Sequence, residues 1–426
     1  MIIRNGMVID PVSGLQEKAD LIIQDGKIVE IRAKEQLEQV TVEECCIDAT
    51  DCIVAPGLVD VHVHFRDPGF TYKEDIETGA RAALKGGFTS VVLMANTKPA
   101  VDNEETLAYV LEKGKQTKLR VYTCAAVTKG LGGKEMVDMD ALLAKGAAGF
   151  TDDGIPIMDE SLMEAAMQKA AELKVPISLH EEDPALITNN GVNRGKASAH
   201  FGIGGSPREA EITLIDRDLQ IALKTGAILN IQHISTKEGV ELVRKAKAQP
   251  NGGNIHAEAT PHHFTLTEDA VIKYGTLAKM NPPLREEADR QAIIKGLQDG
   301  TIDIIATDHA PHSREEKEKA LTEAPSGITG LETALSLGVT SLVDTSALTM
   351  SQLIAAMSTN PAAMYGLPAG TLSVGANADI VIFNPKKSCV VGDYVSKSSN
   401  SPFTGQTLHG VVEYTIVGGE VVYQGE

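Results

Sequence analysis

Nowhere in the 426 residues is there an apolar run of about 18 positions, so no membrane-spanning helix is expected. The opening stretch MIIRNGMVID has neither a basic start nor a long apolar core, and does not read as a signal peptide. Basic residues are few: 39 Lys and Arg against 58 Asp and Glu leave a formal net charge of −19. Without a basic field, nucleic acid and anionic membrane are excluded as partners. Cysteine is scarce and odd in number (Cys45, Cys46, Cys52, Cys124 and Cys389), with no C-x-x-C pair. That excludes a disulfide framework and fits free thiols in a reducing cytosol. No low-complexity segment occurs. With 42% hydrophobic and 23% charged residues, the remainder has ordinary globular composition and can bury a sizeable core. A soluble, cytoplasmic protein is expected.

Both ends of the chain read as short strands. MIIRNGMVID and KADLIIQDGKIVEI alternate apolar and polar positions around Asn5-Gly6 and Asp25-Gly26, which are hairpin signals. NADIVIFNP and VVEYTIVGGEVVYQGE do the same near the other end, broken by Gly418-Gly419. One small β-sandwich built from both termini (1–54 and 368–426) is the reading, against two unrelated β extensions. Between them, over 55–367, eight apolar runs alternate with helical stretches such as Lys73–Lys85, Ser161–Leu173, Arg208–Lys224 and Glu286–Leu297. The runs are GLVDVHVHF, TSVVLMAN, RVYTCAAV, GAAGFTDD, VPISLHEE, ILNIQHIS, NIHAEATPHH and IDIIATDHA. Eight buried strands with intervening helices make a (β/α)₈ TIM-type barrel. A doubly wound open sheet would show a Gly-rich phosphate turn after its first strand, and none is present. The charged stretch Ser313–Glu323 reads as a solvated loop or helix face. The wider segment Pro311–Gly327 reads as a loop able to close over a substrate.

Polar residues gather at the carboxyl ends of these runs: His62 and His64, Asp152 and Asp153, His180, His233, and Asp308 with His309. A barrel assembles its active site there. His62 and His64, two apart on a strand, project to one side. A single histidine at a strand end is usually a satisfied structural residue; five tips agreeing is a pattern. Imidazoles and carboxylates are the ligand set of Zn²⁺ and similar ions. Four histidines, Asp308 and one of Asp152 or Asp153 exceed one tetrahedral zinc, and fit two ions sharing a carboxylate and a hydroxide.

Several segments extend this pattern: PGLVDVHVHFRDPG (56–69), GFTSVVLMANTKP (87–99), GFTDDG (149–154), MNPPLR (280–285) and ATDHAPH (306–312). With them the chain resembles the amidohydrolase superfamily and, within it, the bacterial type I dihydroorotases, over nearly its whole length. The resemblance implies a hydrolase of pyrimidine (UMP) biosynthesis that reversibly cyclises N-carbamoyl-L-aspartate to L-dihydroorotate and water. It implies two Zn²⁺ per subunit: His62, His64 and Asp308 on one, His180 and His233 on the other, Asp153 bridging. Asp308 would also be the catalytic acid/base, moving a proton between the bridging hydroxide and the ring nitrogen. His64, Arg66, Asn96, Asn281, His312, Ser326 and Gly327 match substrate-binding positions, and an Arg fork suits a carboxylate. Homo-oligomerisation and association with another pyrimidine-pathway enzyme are left open.

Two departures qualify the likeness. Many superfamily members carry a metal-bridging lysine at the fourth strand tip, where this chain has GFTDDG; Lys145 lies before the strand. That argues against a hydantoinase, dihydropyrimidinase or allantoinase. In APSGITG (324–330), Ser326 stands where type I dihydroorotases often have Phe, so altered affinity is expected. A non-catalytic barrel serving another enzyme is disfavoured because none of the six ligands is missing. His256, His262 and His263 read as structural or supporting residues, His200 and His409 as lying away from the site. Asp67 would either orient Arg66 or shape a turn, Lys98 and Lys129 are loop lysines, and Cys124 is a buried small hydrophobe rather than a nucleophile.

Overall fold

The computed structural model describes residues 1–33 and 46–425, so Cys45 lies outside the described residues. The strands at the amino end are β1 (Ile2–Arg4), β2 (Met7–Asp10), β3 (Leu15–Gln24), β4 (Lys27–Ala33), β5 (Cys46–Asp48) and β6 (Ile53–Pro56). Those of the middle are β7 (Leu58–Val63), β8 (Phe88–Leu93), β9 (Arg120–Thr123), β10 (Pro176–Leu179), β11 (Ile228–Ile231), β12 (Ile255–Ala259) and β13 (Ile304–Ile305). The last three are β14 (Ile380–Val390), β15 (Thr407–Val417) and β16 (Glu420–Gln424).

The middle strands form two parallel ladders, β7-β8-β9 and β10-β11-β12-β13. Single bridges join them into a ring: Ala125 to Phe150, Phe150 to Ile177, and His309 to Val63. The fold is a TIM-type barrel, with one correction to the sequence reading. GAAGFTDD forms no strand; only Phe150 pairs, on both sides. Small residues and two glycines leave that run little to pack and a backbone costly to order. The fully buried Phe150 supplies its contact with the core.

Helices cover the barrel because each has one apolar stripe. Lys237–Lys247 buries Val240, Val243 and Ala246, is capped by Thr236 accepting from Gly239 N–H, and ends on Arg244, Lys245 and Lys247. The helices Ile76–Lys85, Glu160–Leu173, Arg208–Thr225 and Glu287–Asp299 fall on the stretches expected to be helical.

A nine-stranded sheet takes strands from both chain ends in the order β16-β15-β14-β6-β2-β3-β1-β5, with β4 also on β3. Its apolar face, with Ile3, Val8, Leu21, Ile28, Val54, Ile380, Ile382 and Ile416, encloses a core separate from that of the barrel. Asp25-Gly26 turns β3 into β4 with both φ positive (50° and 73°), as a two-residue I′ hairpin requires. Gly418-Gly419 does the same between β15 and β16 (56° and 77°). Asn5-Gly6 differs from expectation: β1 and β2 both pair with β3, so residues 4–6 face only 19 and 20 and form a bulge. From the carboxyl-end segment, Ser398 Oγ reaches Lys73 O (2.7 Å) and Lys397 pairs with Asp75, laying residues 396–400 against the segment that follows the first barrel strand.

Candidate metal centre

The barrel strands deliver their end residues to one point. His62 Nε2 lies 3.5 Å from Asp153 Oδ1 and 3.6 Å from Asp308 Oδ1. His64 Nε2 lies 3.4 Å from Asp153 Oδ2 and 3.1 Å from Asp308 Oδ1. His180 Nδ1 is 2.9 Å from His233 Nε2 and 4.0 Å from Asp153 Oδ1. Arg66, His233 and Asp308 have positive φ (59°, 31° and 46°), which swings the chain abruptly at the strand exits. Such non-glycine conformations cost about 1–3 kcal/mol each and persist where surrounding structure imposes them. Around Asp308, both Asp60 oxygens accept the Thr307 N–H (3.2 Å each), and His64 N–H donates to His309 O (2.9 Å).

Neighbouring aspartates take opposite parts. Asp152 accepts from Val127 N–H (2.8 Å), Thr128 N–H (3.1 Å) and the Thr128 hydroxyl, away from the histidines. Asp153 faces them. Burial alone would raise its carboxyl, but His62, His64 and His180 hold it well below the usual carboxylate range. Burial disfavours charge on His233, and His180 and His62 beside it add to that, so its ring stays neutral with a lone pair available.

This arrangement fits divalent ions. Three sets of potential ligand atoms each lie within 4.8 Å: His62, His64 and Asp153; His62, His233 and Asp308; and Asp153, His180 and His233. His62 Nε2 is buried, has no hydrogen-bond partner and faces two carboxylates. A buried polar atom rarely goes unpaired unless another ligand serves it. Lys145 is remote from the cluster, with its amine on Glu104 at 3.1 Å.

All the residues expected at the site except the fully buried His62 line one cleft of about 190 Å³. Arg66 is half-buried at its wall, with Nε donating to Pro311 O (3.3 Å). The Asn96 amide is committed to the cluster: Oδ1 lies 2.9 Å from His64 Nδ1, and Nδ2 donates to Asp153 Oδ2 (3.0 Å). Asn281 Oδ1 is buried without a partner, a free acceptor at the cleft. His312 is held neutral by burial and by the Arg66 and Lys73 cations, its pKa pushed down to about 2. Its Nδ1 faces Lys73 Nζ (3.3 Å), so Nε2–H donates to Ser326 O (2.8 Å). Ser326 Oγ is buried and unpartnered. Gly327, at φ 136°, fits because a Cβ there would lie 2.8 Å from Ala310 Cβ and 2.9 Å from Ala310 O.

The wall carrying Ser326 is fastened by residues that sequence reasoning missed. Lys279 Nζ donates to Ala324 O (2.7 Å), and Lys317 Nζ donates to Pro325 O (2.9 Å) and Gly327 O (3.1 Å). Asn400 donates to Ala310 O and Gly327 O and accepts from His312 N–H. Lys317 is only 5% exposed, so the solvated reading of its charged stretch fails there. Composition conceals this, since a buried lysine looks like any other in a charged run. Two glutamates were missed as well: Glu258 Oε2 lies 2.9 Å from His62 Nδ1, and Glu182 Oε2 lies 3.3 Å from His180 Nε2. The EE pair after His180 was the available signal.

Other candidates lie apart from the cluster. His256 pairs with Asp303 (2.7 Å); His263 bonds Thr260 Oγ1 (2.7 Å) and Pro282 O (3.0 Å); His262 is buried against His263. His309 Nδ1 accepts Gly330 N–H (3.1 Å). His200 is exposed, and His409 pairs with Asp344 (2.6 Å). Asp67 accepts from Tyr109 Oη and Lys113 Nζ (2.9 Å each) rather than orienting Arg66. Lys98 is exposed, as is Lys129, which pairs with Glu135. Cys124 is fully buried with its thiol pushed up to about 12 by burial, unfit as a nucleophile.

Such a barrel, with imidazoles and carboxylates at its strand tips, is the framework of a hydrolase. The chain belongs to the amidohydrolase family, which it matches over residues 53–422. It stands among that family's dihydroorotases. It is 56% identical over 423 residues to the dihydroorotase of Clostridioides difficile (99% of each chain), and 51% identical over 428 residues to that of Clostridium acetobutylicum (100% and 99%). With the Streptococcus pneumoniae dihydroorotase it shares 48% identity over 427 residues, all of both chains. Among solved structures, L-hydantoinase from Arthrobacter aurescens superposes with TM-score 0.89 at 26% identity, covering 100% of this chain and 96% of that one. A D-hydantoinase from Thermus sp. gives 0.84 at 26% identity, covering 99% and 95%.

Proposed function

We propose that the chain catalyses the reversible interconversion of N-carbamoyl-L-aspartate and L-dihydroorotate in pyrimidine synthesis, using two zinc ions per subunit. The observation carrying this reading is a cluster of six potential ligands with Asp153, not a lysine, between its two halves, at a cleft walled by Arg66 and Asn281. His62, His64 and Asp308 would hold one ion, His180 and His233 the other, with Asp153 shared. Bound there, such ions supply Lewis acidity, acidifying water and polarising a carbonyl.

The protein's own groups do the rest. Arg66 offers a planar fork to the substrate's α-carboxylate. Asn281 Oδ1 accepts a ring N–H. The His312 Nε2–H bond to Ser326 O keeps that wall against the substrate. In ring opening, Asp308 takes a proton from the attacking water and delivers it to the ring nitrogen as the C–N bond breaks. In closure, the ureido nitrogen bonds to the carbon of the side-chain carboxylate as a C–O bond breaks, and the displaced oxygen leaves as water with one proton passed from the nitrogen through Asp308 and a second taken from solvent. Asp308 lines the cleft with its Oδ1 3.1 Å from His64 Nε2, which supports that role.

We place the enzyme in the cytoplasm, where its free cysteines would stay reduced; among the described residues no helix is long and apolar enough to cross a membrane. We further divide the chain into a barrel over 55–367 and a composite β domain of 1–54 with 368–426. The test is formation and consumption of L-dihydroorotate by the purified protein, before and after chelation and zinc return. Activity lost on chelation and regained with zinc is expected. Asp308→Asn should stay folded and lose at least about 10²–10⁴-fold in turnover. Turnover of hydantoin or allantoin in place of dihydroorotate would move the chain to the other cyclic amidohydrolases, as its backbone likeness to hydantoinases allows.

A further inference from the structure

We propose that Glu258 is a positioning residue for His62: its carboxylate keeps the proton on Nδ1 and aims Nε2 at Asp153 and Asp308. The tautomer claim stands on the geometry alone; its consequence for metal binding rests on the reading of His62 as a ligand.

Glu258 lies on β12, the seventh barrel strand, from which no side chain lines the cleft. It is fully buried. Oε2 lies 2.9 Å from His62 Nδ1, and Oε1 accepts from Asn230 Nδ2 at 2.6 Å. Asn230 Nδ2 also donates to Ser178 Oγ (3.1 Å), which lies 2.8 Å from Tyr365 Oη. A continuous polar chain thus runs through the barrel interior to the back of His62. Among the described residues Glu258 pairs with no lysine or arginine, and the His62 ring is its one ion-pair partner. A carboxylate buried this deeply costs several kcal/mol unless its partners compensate, and an apolar side chain would fill the space at lower cost. A purely space-filling role therefore does not account for it.

Occupation of Nδ1 leaves His62 only Nε2 to present, and that atom is buried, unpartnered and 3.5–3.6 Å from the two aspartates. His180 presents its other nitrogen, and the glutamate behind it stands close without a hydrogen bond to the ring. The ring turns Nδ1 to the cluster while Glu182 Oε2, on a carboxylate held by Ser206 Oγ (2.9 Å), faces its Nε2 at 3.3 Å. The two imidazoles present opposite nitrogens, and in each a glutamate stands behind. An anionic acceptor behind a ligating imidazole fixes its tautomer and raises its basicity, and its loss typically costs 10–100-fold in metal affinity.

The experiment pairs zinc affinity, measured by chelator competition, with ¹⁵N-histidine spectra of the zinc-loaded protein. Wild type should show His62 protonated at Nδ1, its proton shifted far downfield by the carboxylate. Glu258→Gln should lose that resonance and bind zinc about 10–100-fold more weakly. Its metal-free melting should be little changed, and kcat should fall more than KM rises. Tyr365→Phe, which cuts the chain further down, should leave zinc affinity alone. Zinc affinity of Glu258→Gln within about two-fold of wild type, or a His62 bare at Nδ1, overturns the proposal. If Glu258→Gln does not fold, the wild-type spectrum decides. A wild type that binds no zinc overturns the proposed function, while the Nδ1 proton still tests Glu258.

Discussion

Asp152 and Asp153 are adjacent, chemically identical and both buried, yet the structure assigns them separate work, and alanine substitution should separate it. In Asp152→Ala, the Val127 and Thr128 N–H groups lose their acceptor inside the protein. Each orphaned buried donor costs about 1–3 kcal/mol, so the loss of stability should be about 2–6 kcal/mol. That is a large share of the roughly 5–15 kcal/mol that holds a typical domain. The histidines keep their arrangement, so the folded fraction should retain its metal and turnover per folded molecule. Asp153→Ala strands no backbone group; it removes the carboxylate facing His62, His64 and His180. Relief of buried charge and loss of counter-charge oppose one another there, so metal-free stability should change less than in Asp152→Ala. Metal content should drop by about one equivalent and activity with it. The assay is urea unfolding of metal-free protein alongside metal content by elemental analysis. Asp152→Ala losing metal while Asp153→Ala keeps two equivalents would refute the reasoning.

Arg66→Lys replaces a planar fork with a point charge and should raise KM by roughly 10–100-fold, about 1.5–3 kcal/mol, with kcat little changed; an unchanged KM in steady-state assays places the substrate carboxylate elsewhere. Burial, with Lys279 nearby, lowers Lys317 to about 7 from 10.5, so between those values the unfolded chain holds a proton that the folded chain has released. Stability therefore rises with pH across that window, on the order of 2–3 kcal/mol by pH 9, while below about pH 7 both states are protonated and the cost of the buried ammonium is fully present. Urea midpoints at pH 7 and 9 should show this rise in wild type and lose it in Lys317→Met; equal slopes in the two proteins would place the titration elsewhere.

Much of the architecture was readable from local pattern because one residue's neighbours suffice to express it. Val- and Ile-rich runs closing on histidine or aspartate mark barrel strands, and apolar stripes mark the helices around them. Asp25-Gly26 declares a hairpin because few other pairs tolerate two positive φ angles. Asn5-Gly6 carries the same chemistry and makes a bulge, since turn residues do not say which strand the chain will next pair with. GAAGFTDD failed as a strand because its pairing rests on a single phenylalanine rather than on a pattern.

The sequence by itself determined the fold class, the sign of the charge, the family, and the residue types at the strand tips, all set by composition and short-range order. Only the tertiary structure decided which of Asp152 and Asp153 meets the histidines, and which imidazole nitrogen each histidine presents. It also decided that Lys279, Lys317 and Asn400 fasten the wall bearing Ser326. Most of these outcomes depend on partners far away in the chain, 24 positions for Asp152 with Thr128 and 196 for His62 with Glu258. Carboxylates and amines are costly to bury alone, so each is fixed by whichever complementary group the closed barrel brings beside it.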